Sequence, residues 1–292
     1  MFLECADPKS LEGLAWLGCY LTSGKHILFY LSFLTVLLLL AVTAPIALMF
    51  GFGGALASRS RVAPLRWFGR LYASMVRGIP DIIFFLFVPI ALDQGFEWLR
   101  AKAYCDPSVP IRQGNEFLVC PAAKLPLSTA PEWVHQGYGI FLAVVAFSIV
   151  FGAFAANVLY GAMNAVPRAQ LETAEAYGMS PRQVNRRILI PQMWTYALPG
   201  LANLWMILIK ATPLLFILGV QDIVYWAREL GGAKTSAYAY PHSDWRLYYF
   251  LAILAFYLLM TWGSERIFDR IRGRLSAGQA TAAGEAMRKA AT

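Results

Sequence analysis

Long stretches without a charged side chain decide what this chain can become. None occurs from Ile27 to Ser58, from Trp133 to Pro167, from Ile188 to Ile209, or from Leu247 to Ser264. A helix needs about 20 mostly apolar residues to cross the hydrocarbon core of a bilayer, so each stretch predicts a span. The Ile188 stretch can continue past Lys210 to Val220. One more span is read between the first two stretches. Its apolar part, Ile82 to Leu92, is too short alone and needs the preceding Leu71 to Asp81, which include Arg77. It reads as a full helix or a partly re-entrant one. Composition agrees: charged residues are 14% of the chain, hydrophobic ones 58%, and mean hydropathy is +0.52. A soluble domain carries about 25% charged residues, and a chain this poor in charge cannot cover a soluble globule. Disorder, collagen, coiled coil and a small disulfide scaffold are excluded on the same grounds. The expected fold is an all-α integral membrane protein with about five transmembrane helices.

The connecting segments orient these spans, because Lys and Arg concentrate on the cytoplasmic side. Arg59, Arg61, Arg66, Arg70 and Arg77 follow the first span without an acid before Asp81. Arg168, Arg182, Arg186 and Arg187 lie between the third and fourth, and Arg266, Arg270, Arg272, Arg274, Arg288 and Lys289 follow the fifth. The segment 93–132 differs, since Asp93, Glu97, Asp106, Glu116 and Glu132 outnumber Arg100, Lys102, Arg112 and Lys124. The N-terminus is therefore expected outside and the C-terminus inside. Most of the net charge of +8 is this bias, and nucleic acid is not an expected partner; membrane lipid is. Residues 1–26 form an outer segment with no cleavable leader in 1–20, where Glu4 and Asp7 replace a basic start. Leu11 to Leu21 reads either as a short interfacial helix, with Trp16 and Tyr20 near the headgroups, or as an unstructured leader. Residues 27–275 form the transmembrane domain, with 93–132 as an outer insertion, and 276–292 read as a disordered inner tail.

All four cysteines, Cys5, Cys19, Cys105 and Cys120, fall on the outer side, where disulfides are permitted. Cys105 and Cys120 bracket a Pro/Gly-bearing loop and are a candidate disulfide; two unpaired thiols are the alternative. No Cys/His spacing suggests a metal. No HExxH, GxSxG or EF-hand pattern occurs, and around Gly24-Lys25 the phosphate-loop pattern fails at Cys19 and His26. The chain is expected to bind no cofactor and to be no enzyme.

The segment 166–191, VPRAQLETAEAYGMSPRQVNRRILIP, is polar and basic but not loop-like. Pro167 suits a first helical turn. Leu171, Ala174 and Ala176 give a small apolar face. Gly178 stands where a helix would end in the left-handed conformation. Ser180 with Gln183 reads as a capping box restarting the chain after the bend, with Pro181 in the first turn. Two short helices with a sharp bend are expected on the inner face, shaped to lie in another protein's groove. An ordinary connecting loop is the alternative.

In this register Glu172-Thr173-Ala174, three residues, Gly178, nine residues, Ile188, one residue, Ile190-Pro191 resembles the "EAA" loop of ATP-binding-cassette (ABC) importer permeases, with Thr173 and Ile190 as mild departures. Arg77-Gly78-Ile79-Pro80-Asp81, Ala165-Val166-Pro167-Arg168 with Gln170, and Tyr196-Ala197-Leu198-Pro199-Gly200 through Lys210-Ala211-Thr212 to Gly219 resemble the polar amino acid branch, most closely its histidine, lysine/arginine/ornithine and opine members. The likeness runs from about Leu31 to Leu275. It implies the type I, MetI-like permease fold in a bacterial inner membrane. It also implies a second permease, more often a different chain than a copy, a periplasmic amino acid-binding protein, and a separate ATPase subunit that uses ATP and Mg. The bent loop would be where that ATPase docks, with Arg168, Glu172, Ala174, Gly178, Ser180, Ile188 and Pro191 as coupling residues. Glu172 would either pair with a basic residue of the ATPase or make a local helix contact.

The path for solute is read from polar residues in or near spans, which are costly there and mark function. The candidates are Arg77, Asp81, Asn157, Asn203, Lys210 and Thr212. Ser148, Gly152 and Ala156 recur every four residues and read as helix packing. Related permeases often place Glu where Asn157 stands and Arg where Tyr160 stands, which weakens the case for a strictly cationic solute. A secondary transporter or channel would need its own ion site and often inverted repeats; no convincing repeat is found. A membrane-embedded enzyme and a structural scaffold are the remaining alternatives.

Overall fold

The computed structural model describes residues 5, 8–75, 80–108, 110–114, 116–117, 119–218 and 220–276. Its helices are α1 (Gly13–Leu21), α2 (Gly24–Ser58), α3 (Ala63–Met75), α4 (Asp81–Tyr104), α5 (Glu132–Ala165), α6 (Arg168–Ala176), α7 (Pro181–Val184), α8 (Ile190–Ala211), α9 (Ile223–Gly231) and α10 (Arg246–Ser276). Two-residue strands β1 (Arg112–Gln113) and β2 (Glu116–Phe117) form a small antiparallel hairpin between α4 and α5. Among the described residues, five helical stretches are long and apolar enough to cross a membrane: Gly24–Ser58, Ile82–Tyr104, Glu132–Ala165, Pro181–Leu215 and Arg246–Leu275.

The bundle is organised around α5. More than half of its apolar window is buried (56%), against 6% for α10, so α5 is the axis and α10 a peripheral helix. The most extensive pairing is α2 with α5. Small residues make it possible. A Cβ on Gly51 would meet Ala155 Cβ at 2.6 Å, and one on Gly54 would meet Ala156 Cβ at 2.9 Å. Without a hydrophobic drive between helices in lipid, such close backbone approach supplies the van der Waals attraction that holds them. Ser148, Gly152 and Ala156 are all buried, so the four-residue stripe serves packing.

The second span does not need the residues before it: Ile82–Tyr104 is long and apolar enough alone, and α3 is a separate helix. Gly69 of α3 lies against the backbone of Ala57 and Ser58 at the end of α2, and Tyr72, one turn on, lies against Gly54. Thus α3 rises antiparallel along the last turns of α2. Its Tyr72 hydroxyl donates to the carbonyl of Ile149 on α5 at 2.7 Å. Farther along, α4 packs Phe85 against Phe147 and Phe151, with ring centroids 5.0 and 5.5 Å apart. Arg77 lies outside the described residues.

Two helices outrun their uncharged stretches. Within the insertion 93–132, α4 continues to Tyr104. Its final turns carry charge yet stay helical, because they are held from the side. Asp93 accepts from the Tyr138 hydroxyl at 2.9 Å, Glu97 accepts from the Leu125 amide at 3.2 Å, and Arg100 donates to the Ala122 carbonyl at 2.8 Å. α10 likewise continues past Ser264 through its basic turns to Ser276. Loss of hydropathy marks where a helix leaves the membrane, not where it stops. The tail 277–292 lies outside the described residues.

The leader segment is a short helix, as one of the two sequence readings expects, and its Tyr20 side chain turns inward. Tyr20 is buried, donates to the Leu230 carbonyl at 2.9 Å and bonds His242 Nε2 at 2.8 Å. Trp16 stacks on Tyr20 and meets Tyr240 and Trp245 edge-on. The α9–α10 connection supplies these partners, and a Cys5–Cys19 disulfide ties the segment before α1 onto it. Cys105 and Cys120 form a second disulfide, with Cα atoms 5.9 Å apart.

Candidate functional site

The segment 166–191 folds as a protruding bend with a structural reason at every joint. Pro167 sits at the N-cap of α6. At the other end Tyr177 closes the helix and Gly178 takes φ +80°. The Gly178 amide donates to the Glu175 carbonyl at 2.9 Å and the Met179 amide to the Ala174 carbonyl at 3.1 Å. These are the two bonds of the Schellman motif, which consumes helix-end carbonyls and needs a left-handed residue at its centre. Two residues later the chain restarts. Gln183 N–H donates to Ser180 Oγ at 3.4 Å, Ser180 N–H donates to Gln183 Oε1 at 2.8 Å, and Pro181 occupies the first turn. A stop and a start placed two residues apart fix the angle between α6 and α7.

From α7 the helix passes through a π-helical turn, Asn185–Leu189, directly into α8. The joint is anchored in apolar packing. Val166, Leu189 and Met193 are buried together with Leu159 and Met163 of α5 and Ala55 of α2, and Leu171 of α6 packs against them. Ala174 and Val184 are also buried. A force on α6 and α7 therefore reaches three spans through contacts that are already closed. Ile188 is half-buried at this joint, and Pro191 is exposed at the start of α8.

The outward side is polar. Thr173, Arg182, Arg186 and Arg187 are exposed, and Tyr177 retains 84% of its accessible surface. Arg168 and Glu172 are exposed along a cleft shared with Arg59 and Arg70. Arg168, Glu172, Ala174, Gly178, Ser180, Ile188 and Pro191 thus lie along one continuous bent segment, in which Ala174 faces inward and Glu172 outward.

The polar residues read as a path are not brought together in the same way. Asn157 on α5 and Lys210 on α8 are exposed on the isolated chain. Asn203 lines a cleft of about 260 Å³ with Glu265, Asp269 and Arg272 of α10. Asp81 begins α4. Thr212 sits at the end of α8. It is fully buried, donates to the Ile209 carbonyl at 2.9 Å and bonds the Tyr257 hydroxyl at 2.7 Å. Its hydroxyl ends α8 and starts the 3₁₀ turn Thr212–Leu218.

One buried acid escaped sequence reading. Asp222 caps α9, accepting from the amides of Val224 at 3.1 Å and Tyr225 at 2.9 Å, while its Oδ2 has no hydrogen-bond partner among the described residues. Burial pushes its carboxyl up to about 7, against the lowering effect of those amide bonds. An Asp placed just before an apolar helical run was the signal that should have identified it. On α9, Glu229 accepts from Lys25 at 2.9 Å and Lys234 at 3.2 Å. The Lys25 hydrogen bond, more than any other contact, holds that carboxyl below its ordinary range.

These features define a multi-pass helical membrane protein with a rigid bent element projecting from one face. Residues 47–276 match the family model described as "binding-protein-dependent transport system inner membrane component". The chain belongs to that family: it is a membrane component of a binding-protein-dependent transport system. It is 28% identical to the histidine/lysine/arginine/ornithine transport system permease protein HisQ of Escherichia coli over 81% of this chain and 87% of that one. It is 27% identical to the arginine ABC transporter permease protein ArtQ of the same organism, over 71% and 78%. The octopine transport system permease protein OccQ of Rhizobium radiobacter is 28% identical over 76% and 79%. A solved structure described as an amino acid ABC transporter with histidines shares the fold, with a TM-score of 0.60 over 91% of this chain and 99% of that chain at 18% identity.

Proposed function

We propose that this chain is the permease subunit through which an ATP-binding-cassette importer carries a polar amino acid, or a related compound, across the bacterial inner membrane. The N-terminus and the α4–α5 insertion face the periplasm, and α6, α7 and the C-terminus face the cytoplasm. The Arg-rich segments 59–70, 182–187 and 266–274 support this orientation. ATP and Mg are used by a separate ATPase subunit, and this chain binds no cofactor. A second permease completes the membrane core, and a heterodimer is favoured by the family likeness. A periplasmic binding protein delivers the solute.

The observation that carries this reading is the bend at Gly178. Its helix stop and the Ser180 restart make α6 and α7 a stiff lever, and the packing of Leu171, Leu189 and Met193 on α2 and α5 joins that lever to the spans. When the ATPase subunits close on ATP, the lever transmits their displacement, and rigid-body motion of packed helices opens or closes the path beyond. Arg168, Glu172, Ala174, Gly178, Ser180, Ile188 and Pro191 carry the coupling. Asn157, Asn203 and Lys210, with Asp81 and Arg77, are the proposed path, completed by faces of the second permease.

The test is uptake. The full complex in proteoliposomes, offered a panel of radiolabelled amino acids, is expected to accumulate polar ones only with ATP inside and binding protein outside. Accumulation driven by an ion gradient without ATP would overturn the reading in favour of a secondary transporter.

A further inference from the structure

Where α2 and α5 reach the arginine-rich face, a cavity of about 500 Å³ opens between the α2–α3 link and α6. Arg59, Arg61, Arg66, Arg70 and Arg168 line it, against Glu172 and Glu175, which leaves three positive charges uncompensated. Among the described residues none of the five guanidinium groups is ion-paired with a carboxylate. Arg59 donates to the Asn164 side chain at 2.8 Å and Arg66 to the Ser60 carbonyl at 3.3 Å, both uncharged acceptors. The start of α6 borders the same space through Val166 and Arg168, and no side chain caps it. Convergent guanidinium groups beside a positive helix end form a receptor for an anion, and the planar fork of Arg suits the oxygens of phosphate.

The depth of the cavity indicates which phosphate. The uncharged stretches of α2 and α5 end at Ser58 and Pro167, and Ser58, Asn164 and Val166 line the cavity, so it sits at the membrane boundary of both spans. Beside Arg66, Trp67 and Phe68 keep 67% and 60% of their surface exposed, as aromatic side chains do at the bilayer boundary. We propose that this cavity binds a phosphate-bearing anion, and that its source is the headgroup of an anionic phospholipid of the adjoining leaflet. A lipid held there would bridge the α2–α3 link to α6 and stiffen the base of the bent loop. The site does not depend on which solute the permease carries.

The purified complex, stripped of lipid in neutral detergent, is titrated with phosphatidylglycerol, phosphatidylcholine and inorganic phosphate, and bound molecules are counted by native mass spectrometry. Phosphatidylglycerol is expected to be retained in preference to phosphatidylcholine. Removing two cationic groups in R61Q/R70Q should cut that preference by about thirty-fold, since each near-surface Lys or Arg adds roughly five-fold. R61K/R70K should recover most of it. A second arm needs no variant: raising the salt concentration must weaken the preference of the unaltered complex. If inorganic phosphate fills the site and displaces the lipid at low millimolar concentration, the anion site stands and its source is soluble phosphate. Equal retention of both lipids, insensitive to salt and without phosphate binding, overturns the proposal.

Discussion

Ser180 and Gln183 cap each other: the backbone amide of each is held by the side chain of the other, at 2.8 and 3.4 Å. This reciprocal pair starts α7 two residues after Gly178 has ended α6, so the bend between them is set by hydrogen bonds rather than by bulk. Replacing Ser180 with Ala removes one cap and costs about 1 kcal/mol of local stability. A several-fold fall in binding-protein-stimulated ATP turnover by the complex is expected, and S180D, which restores a capping oxygen, should recover it. Equal turnover in S180A and the unaltered complex would show that the bend need not be stiff.

Gly178 gives a sharper test. At φ +80° a side chain costs roughly 1–2 kcal/mol, and a Cβ there would touch nothing within 4 Å. The penalty is therefore conformational, not steric. G178A is expected to lower stimulated ATP turnover, and G178D to lower it further by adding a charge, with the subunits still co-purifying. Stimulated turnover unchanged in both variants would remove the bend from the coupling route.

The pH dependence of stability follows from Asp222. Its folded-state carboxyl titrates near 7 because of burial, above the ordinary 3.8. The folded chain therefore binds this proton more tightly than the unfolded chain. That contribution is present in full below about pH 4, shrinks as pH rises and is lost through about pH 7. D222N keeps an oxygen for the Val224 and Tyr225 amides but cannot titrate. Thermal unfolding in detergent between pH 5 and 8 should fall with pH less steeply in D222N. Parallel profiles would mean that Asp222 is already ionised in the folded chain.

Much of this molecule is legible in its sequence, and the reason is physical. The uncharged stretches forecast the spans because lipid leaves little choice about what crosses it. The Gly178 stop and the Ser180 capping box are local devices, set by residues within one or two turns, and both are found where the residue types place them. What depends on distant partners was not legible. The docking of α1 through Tyr20 needs Leu230 and His242, more than 200 residues away. The charged end of α4 is held by Tyr138, Leu125 and Ala122, 22 to 45 residues away from their partners. The Thr212 hydroxyl, read from sequence as one of the polar groups in or near a span, is bonded to Ile209 and to Tyr257, 45 residues away. The proposed path is completed by a second chain, and Asn157 and Lys210 are exposed on this one.

That path is open to test through Asn157. N157A in the reconstituted complex is expected to shift the apparent affinity for, or the preference among, transported amino acids while ATP turnover stays coupled. N157D should raise the uptake of cationic amino acids relative to neutral ones. Uptake profiles indistinguishable from the unaltered complex in both variants would place Asn157 off the path.

The most direct measurement compares this chain by itself with the assembled transporter in the same liposomes, following ATP hydrolysis and solute accumulation together. The chain alone is expected to show neither, and both should appear once the ATPase, the second permease and the binding protein are present. Hydrolysis or uphill accumulation by the chain alone would contradict a permease that takes its work through the bent loop.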